Sequence, residues 1–360
     1  MNRTVSQVRK PVKRQGADNY LLVILLSFAA SVSLTRLFLE LTGYPQLGGG
    51  GLHIAHVLWG GLLLFIAALL PLLLVNRWVY VVSALLTGSG VGLFIDEVGK
   101  FITQNNNYFY PAAAPIIYAF FLLTVLIYLR ARRHSYPDAR TEMYHVMDAL
   151  QEVLDHDLEP MERDHLAAQL HHIRDQADFP SLSQLADGLL QFLESDRIDL
   201  APETAGLMEK LFAGLHDLEE RHTNRRRFRA VLIGTMLALG LFSVFKMVVL
   251  VSQSALQASL TTLVQQGILT SSSSLDWFAA RLVLEAVLGF LLLVAAGLLL
   301  IGQEGRALSL SYIVLLVSLT TVDLLIFYFD QFSTIITAIV QFSLLIGVIY
   351  YRRRYQIPES

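Results

Sequence analysis

The sequence predicts an all-α, polytopic helical membrane protein: about eight transmembrane helices, four and four, with a small cytoplasmic helical domain between the halves. Three observations predict it. Of 360 residues, 54% are hydrophobic and 16% charged, where a soluble domain carries about 25% charged residues. The apolar residues collect in runs almost free of charge, at 20–35, 57–75, 78–95, 112–129, 230–245, 286–301, 307–322 and 332–350, and a bilayer core needs about 20 such residues per helix. The runs also lack the alternation at every second position that the strands of a membrane barrel show.

The elements follow in order. Residues 1–19 form a basic N-terminus with Arg3, Arg9, Lys10, Lys13 and Arg14. The apolar run behind it resembles a signal sequence, but no clean small-x-small cleavage site follows and Arg36 and Glu40 continue the helix, so no cleavable signal is expected. The first membrane half, 20–130, divides into spans near 20–42, 52–75, 78–102 and 112–130. Residues 131–228 are polar and acidic. The second half, 229–351, divides near 229–252, 276–302, 306–329 and 332–351, and a basic tail of 352–360 closes the chain. No cysteine is present, which excludes disulfides, thiolate metal sites and cysteine nucleophiles.

Lysine and arginine accumulate in cytoplasmic loops. The N-terminus, Arg77, the Arg130–Arg132–Arg133 cluster, Arg225–Arg226–Arg227 with Arg229, Arg306 and Arg352–Arg353–Arg354 all mark one side; loops 43–51, 103–111 and 253–275 carry no such charge. Eight spans with both termini cytoplasmic satisfy every loop, and the expected location is the cytoplasmic (inner) membrane.

The inserted segment differs in kind. From 141 to 220 it holds 19 Asp plus Glu against 4 Lys plus Arg. Met143, Val146, Met147, Leu150, Val153 and Leu154 recur at helical spacing, and so do Leu207, Leu211, Leu215 and Leu218. Pro160 and Pro180 punctuate, and Pro202 suits a first helical turn. About four amphipathic helices are expected. Eight of the ten histidines lie here, His171 and His172 among them, on polar faces that read as solvated surface. The acidic balance argues against nucleic acid or anionic lipid as a partner; membrane lipids around the spans, and a protein partner or self-association through 134–228, are the partners expected.

Ionisable groups inside spans are expensive and are candidates for function. Arg36 and Glu40 fall late in the first span, His53 and His56 early in the second, Asp96, Glu97 and Lys100 late in the third. Lys246, Arg281, Glu285 and Asp323 occupy the outer parts of spans five to seven, so every such group falls in the outer half. Gly88, Gly92, Asp96 and Lys100 recur every fourth residue and form one stripe, where small residues let a neighbouring helix approach closely. His53 and His56 share a face that Gly60 extends.

Two readings of these groups stand side by side. Two imidazoles three residues apart, with carboxylates at the same depth, are suitable ligands for zinc or another divalent metal: His53, His56 and Asp96 as ligands and Glu97 as general base. Alternatively the charges pair within helices at i, i+4, Arg36 with Glu40, Asp96 with Lys100 and Arg281 with Glu285, and Asp323 pairs with Lys246 or Arg281. Asp330 and Gln331 top the seventh helix, and Asn105, Asn106, Asn107 and Tyr108 follow the third.

At His53, His56, Gly88, Gly90, Gly92, Asp96 and Glu97 the chain resembles a group of uncharacterised bacterial multi-pass membrane proteins, in which a His-x-x-His helix precedes a Gly-rich helix ending in Asp-Glu. The likeness covers residues 45–110 and implies a prokaryotic cytoplasmic-membrane protein, but no activity. A fainter similarity is to membrane metal hydrolases of the ceramidase and progestin-adiponectin-receptor type. The third in-membrane histidine and the late His-x-x-x-His helix of those enzymes are missing here, which leaves carboxylates to complete a metal site.

The functional expectation is an integral membrane protein with an outward-facing polar, metal-competent site. Its alternatives are a metal-dependent hydrolase of a lipid-like substrate, a transporter, and a non-enzymatic sensor or scaffold signalling through the inserted helical domain. The apolar inner halves count against the transporter, since carriers use midplane polar groups and interrupted helices.

Overall fold

The computed structural model describes residues 11–43, 55–108, 110–132, 138–176, 179–195, 198, 200–201, 225–251, 261, 264, 272–330 and 334–355. In chain order the helices are α1 (Ala17–Thr42), α2 (His56–Leu73), α3 (Trp78–Asp96), α4 (Val98–Ile102), α5 (Ala113–Ala131), α6 (Ala139–Ala149), α7 (Gln151–Leu154), α8 (Pro160–Gln176), α9 (Pro180–Leu193), α10 (Arg225–Val251), α11 (Ser272–Ile301), α12 (Glu304–Val317), α13 (Asp323–Asp330) and α14 (Ile335–Tyr355). A π-helical segment, Ser318–Val322, joins α12 to α13. No strand occurs among the described residues. Eight helices among them are long and apolar enough to cross a membrane: α1, α2, α3, α5, α10, α11, the run from α12 through α13, and α14. Large apolar side chains such as Phe65, Leu126 and Phe290 stay exposed along these helices, a surface that lipid rather than water would match.

Contacts divide the chain into two compact units. One comprises Met1–Phe94 and Leu123–Leu211, the other Ile95–Leu122 and Phe212–Ser360. The chain therefore passes between units within α3, within α5 and again after the amphipathic segment.

In the first unit, glycines set how closely the helices approach. A Cβ on Gly90 would lie 2.9 Å from the Gly60 carbonyl oxygen, and one on Gly60 would lie 2.8 Å from that of Gly90, so α2 and α3 cross backbone to backbone. Two residues along, Gly92 meets the Ser31 side chain of α1, with 2.8 Å to Ser31 Cβ for an added Cβ. Pro71 has no N–H to give the Ala67 carbonyl one turn earlier; the Ser83 hydroxyl of α3 donates to that carbonyl instead, at 2.7 Å.

The amphipathic helices of the same unit pack around Met143, Val146, Leu158, Leu166, Leu170, Ile173, Ala186 and Leu190. Met147 and Leu154, expected on the apolar face, are exposed: Met147 is one residue round α6 from the buried Val146, and Leu154 ends α7, a single turn. Asp138 caps α6, accepting the Thr141 N–H at 2.9 Å. His165, His171 and His172 lie on the surface. The expected helix start at Pro202 and the Leu207, Leu211, Leu215 and Leu218 stripe lie outside the described residues. Ion pairs tie these helices to the ends of the apolar ones: Arg77 with Glu152, Arg14 with Asp148 at 3.5 Å, and the Asn76 amide to Asp155 at 3.2 Å.

In the second unit, α10 and α11 repeat the glycine device, a Cβ on Gly240 falling 2.7 Å from the Gly289 oxygen. Leu232, Met236, Leu292, Ala295, Leu299, Leu308, Leu315 and Val348 form the core of α10, α11, α12 and α14. At one end Glu304 holds Arg225 at 2.9 Å and Arg229 at 3.4 Å.

Candidate functional site

The third span was expected to run unbroken from 78 to 102. It stops at Asp96: Glu97 turns the chain with φ −90° and ψ 9°, and α4 begins at Val98. The break lets residues 103–108 fold back onto α4. Gly99 makes this possible, since a Cβ there would lie 2.8 Å from the Asn107 oxygen and 2.9 Å from the Tyr108 oxygen. Thr103 fastens the loop, its hydroxyl donating to the Gly99 carbonyl at 2.7 Å and accepting the Asn107 N–H at 2.7 Å.

Under this loop Asp96 is 0% and Glu97 1% exposed. The Tyr108 hydroxyl donates to Asp96 Oδ2 at 2.7 Å. Lys100 lies 2.9 Å from Glu97 Oε1 and 5.3 Å from the Tyr108 ring centre. The expected i, i+4 partnership of Lys100 was with Asp96. Lys100 forms an ion pair with Glu97 at i, i+3, beside the turn at Glu97.

Of the two histidines proposed as metal ligands, His53 lies outside the described residues. His56 opens α2 in the first unit, whereas Asp96 and Glu97 belong to the second. Among the described residues no group of three or more His, Asp or Glu side chains is gathered as a metal would require. In α1, Arg36 is buried and Glu40 exposed.

The remaining membrane charges converge in the second unit. Arg281 of α11, only 1% exposed, reaches across to α13 and grips Asp330 with both terminal nitrogens, Nη1 at 2.8 Å from Oδ1. Phe278 and Phe329 flank its guanidinium, ring centres 5.7 Å and 6.0 Å away. Glu285, one turn along α11, is 3.5 Å from Arg281, the i, i+4 spacing expected. Lys246 of α10 bridges both acids, 2.9 Å from Asp330 and 3.4 Å from Glu285.

Asp323 stands apart from this network. It was expected to pair with Lys246 or Arg281; both bases instead meet Asp330, seven residues or about 10 Å farther along the helix. Among the described residues Asp323 makes no ion pair there, and its hydrogen-bond partners are neutral. The Ser318 hydroxyl lies 3.4 Å from Oδ1 and the Tyr118 hydroxyl 3.5 Å from Oδ2. Each hydroxyl shares its single hydrogen with a second acceptor, Ser318 with Gln341 Oε1 at 3.1 Å and Tyr118 with the Leu319 carbonyl at 2.8 Å. Ser318 and Leu319 belong to the π-helical segment, a rare local widening that recurs at functional sites. Tyr118 is stacked on Phe327, centroids 4.6 Å apart, which fixes its hydroxyl over the turn.

Asp323, Asp330, Glu285 and Lys246 line one cavity of about 230 Å³, whose apolar walls include Phe242 and Phe327. With Arg281 behind Asp330, the cluster holds three acids and two bases. Hydropathy reading identified all of these charges except the role of Asp330, which it placed at the helix top; Tyr118, Ser318 and Gln341 were missed, because a lone hydroxyl or amide in an apolar run gives no periodic signal. No protein-family model, curated protein or solved structure matches the chain.

Proposed function

We propose that this integral membrane protein takes up and releases a proton or a small monovalent cation at Asp323, as a cation-coupled carrier does. The observation that carries the reading is a carboxylate 3% exposed, hydrogen-bonded only by neutral groups among the described residues, at a π-helical turn beside a charged cavity. The two bases neutralise two of the three acids, which leaves one acid for a mobile positive charge. The π-helical turn supplies a feature the sequence did not reveal, a non-α segment within a span, by which carriers present backbone and side-chain oxygens to an ion. In the orientation expected from the loop charges, the cavity faces the outer side of a cytoplasmic membrane. A divalent metal at His53, His56 and Asp96, and lipid hydrolysis with Glu97 as base, find less support, since the ligand set is not gathered among the described residues.

The test is proton movement in proteoliposomes loaded with a pH-sensitive dye, under an imposed sodium or potassium gradient. Wild-type protein is expected to change the internal pH, and Asp323→Asn to abolish the change while keeping a monodisperse elution profile. An unresponsive wild type, or an Asp323→Asn variant that moves protons at the wild-type rate, would sink the proposal.

A sensor reading draws on a different observation, the ion pairs of Arg77 and Arg14 with the amphipathic helices. They would transmit a change in the apolar helices of that unit to the acidic surface. Crosslinking that recovers a partner on residues 134–228 would favour it.

A further inference from the structure

A second cavity, of about 290 Å³, lies in the first unit, far in sequence from Asp323. Lys13, Arg14, Arg140, Tyr144, His145 and Asp148 line it. Its position is set by chain geometry. Lys13 and Arg14 come three or four residues before Ala17, where the first candidate span starts, and Lys13 donates its ammonium to the carbonyl of Ala131, where another span ends. The cavity thus sits where two membrane spans meet the amphipathic helices. Its walls are tied together: His145 Nε2 is 3.0 Å from the Lys13 carbonyl oxygen, Arg14 lies 3.8 Å from the centre of the Tyr80 ring, and Arg14 pairs with Asp148 at 3.5 Å. Arg140 stands 5.2 Å from the Tyr144 ring centre.

Three permanent cations and an imidazole line the cavity with one carboxylate, Asp148, while a second, Asp138, lies near enough to Arg140 to act on it. That sign is opposite to the acidic average of residues 141–220, which by itself argued against an anionic partner. The average conceals it because Lys13 and Arg14 come from the N-terminal segment and Arg140 from the first turn of α6. Basic clusters at the end of a membrane span recognise anionic headgroups, and guanidinium groups suit phosphate oxygens.

We infer that this cavity binds phosphate, supplied by the headgroup of an anionic phospholipid in the adjoining membrane leaflet. The lipid's acyl chains would lie along the exposed apolar sides of the neighbouring spans while Arg140, Lys13 and His145 hold the headgroup.

The experiment follows thermal unfolding of the full chain in detergent with added phosphatidylglycerol, phosphatidylcholine or inorganic phosphate. Phosphatidylglycerol is expected to raise the midpoint by about 3 °C or more, and phosphatidylcholine to leave it unchanged. Arg140→Gln and, separately, His145→Gln should abolish the rise, while Arg352→Gln, in the basic tail, should retain it. A rise with inorganic phosphate alone, lost in Arg140→Gln, would keep the phosphate site but overturn the lipid source. No rise with either, or an equal rise in Arg140→Gln, would overturn the proposal.

Discussion

Arg281 and Asp330 form a two-pronged ion pair between α11 and α13, with the guanidinium 1% exposed. Because Lys246 meets the same aspartate and also Glu285, no member of the cluster can be removed without leaving a charge in an apolar setting. Arg281→Gln removes one of the two bases that meet Glu285 and Asp330. Breaking a buried pair by deleting one partner costs about 3–5 kcal/mol, so this variant should lose most of its folded yield. Fluorescence-detected size exclusion after a heat step checks it. Wild-type retention after heating would show that the pair is dispensable.

The Tyr118 hydroxyl holds the π-helical turn through the Leu319 carbonyl. Tyr118→Phe keeps the ring stacked on Phe327 and removes only the hydroxyl, a loss of about 1–2 kcal/mol. Stability should fall modestly while proton movement falls more, since one of the groups facing Asp323 is gone. A variant equal to wild type in the dye assay would remove Tyr118 from the site.

Gly90 and Gly61 offer a matched pair of substitutions. A Cβ on Gly90 meets the Gly60 carbonyl and Leu64 at 2.9 Å, whereas nothing lies within 4 Å of one on Gly61. Gly90→Ala should force α2 and α3 apart at a cost of about 1–3 kcal/mol. Gly61→Ala should be neutral or stabilising by up to about 1 kcal/mol, through lost backbone freedom in the unfolded chain. Equal thermal midpoints would mean that the two helices do not cross as described.

Pro71 and Ser83 should behave as a coupled pair. Ser83→Ala orphans the Ala67 carbonyl and should cost about 1–3 kcal/mol. Adding Pro71→Ala returns an N–H one turn along and should recover much of that loss. A double-mutant cycle reads the coupling directly; additive effects would deny it.

Asp138 gives the pH-dependent case. The Thr141 hydrogen bonds hold its carboxyl below the usual carboxylate range. The folded value being the lower one, the cap contributes fully above the unfolded value of about 3.9. Its contribution is lost as pH falls through the folded value. Asp138→Ala should weaken α6 by about 0.5–2 kcal/mol at pH 7, seen as faster amide exchange at residues 139–143. Near pH 2 the difference between variant and wild type should shrink; a constant difference would remove charge from the cap's action.

How much of this was legible in the sequence follows from the kind of signal each feature leaves. The eight long helices were, because hydropathy sums over twenty positions and a single polar residue cannot erase it. The glycine contacts of Gly60 and Gly92 were foreshadowed by spacing, and the Arg281–Glu285 pair by i, i+4 geometry. The Lys100–Glu97 pair was not foreseen, because a turn at Glu97 leaves no mark in composition. Asp323 was given a base it does not meet for a similar reason: partner choice between helices depends on rotation and depth, and Asp330 stands two turns closer to both bases. The stretch Ser318–Val322 carries no letter that distinguishes π from α.

The alternation of the two units along the chain has a consequence for biosynthesis. Residues 95–122 emerge early, between two stretches of the first unit, yet the partners of that segment emerge last: Leu319, which accepts the Tyr118 hydroxyl, lies 201 residues downstream. A ribosome that has released residue 211 has supplied the whole first unit and only a fragment of the second. Through the synthesis of the last four spans, Tyr118 waits without Leu319 and Phe327. The nascent protein is most exposed to quality control in that interval, and a chain stopped before Leu319 would present an intact first unit to the cell while lacking the packing that encloses the charged cavity.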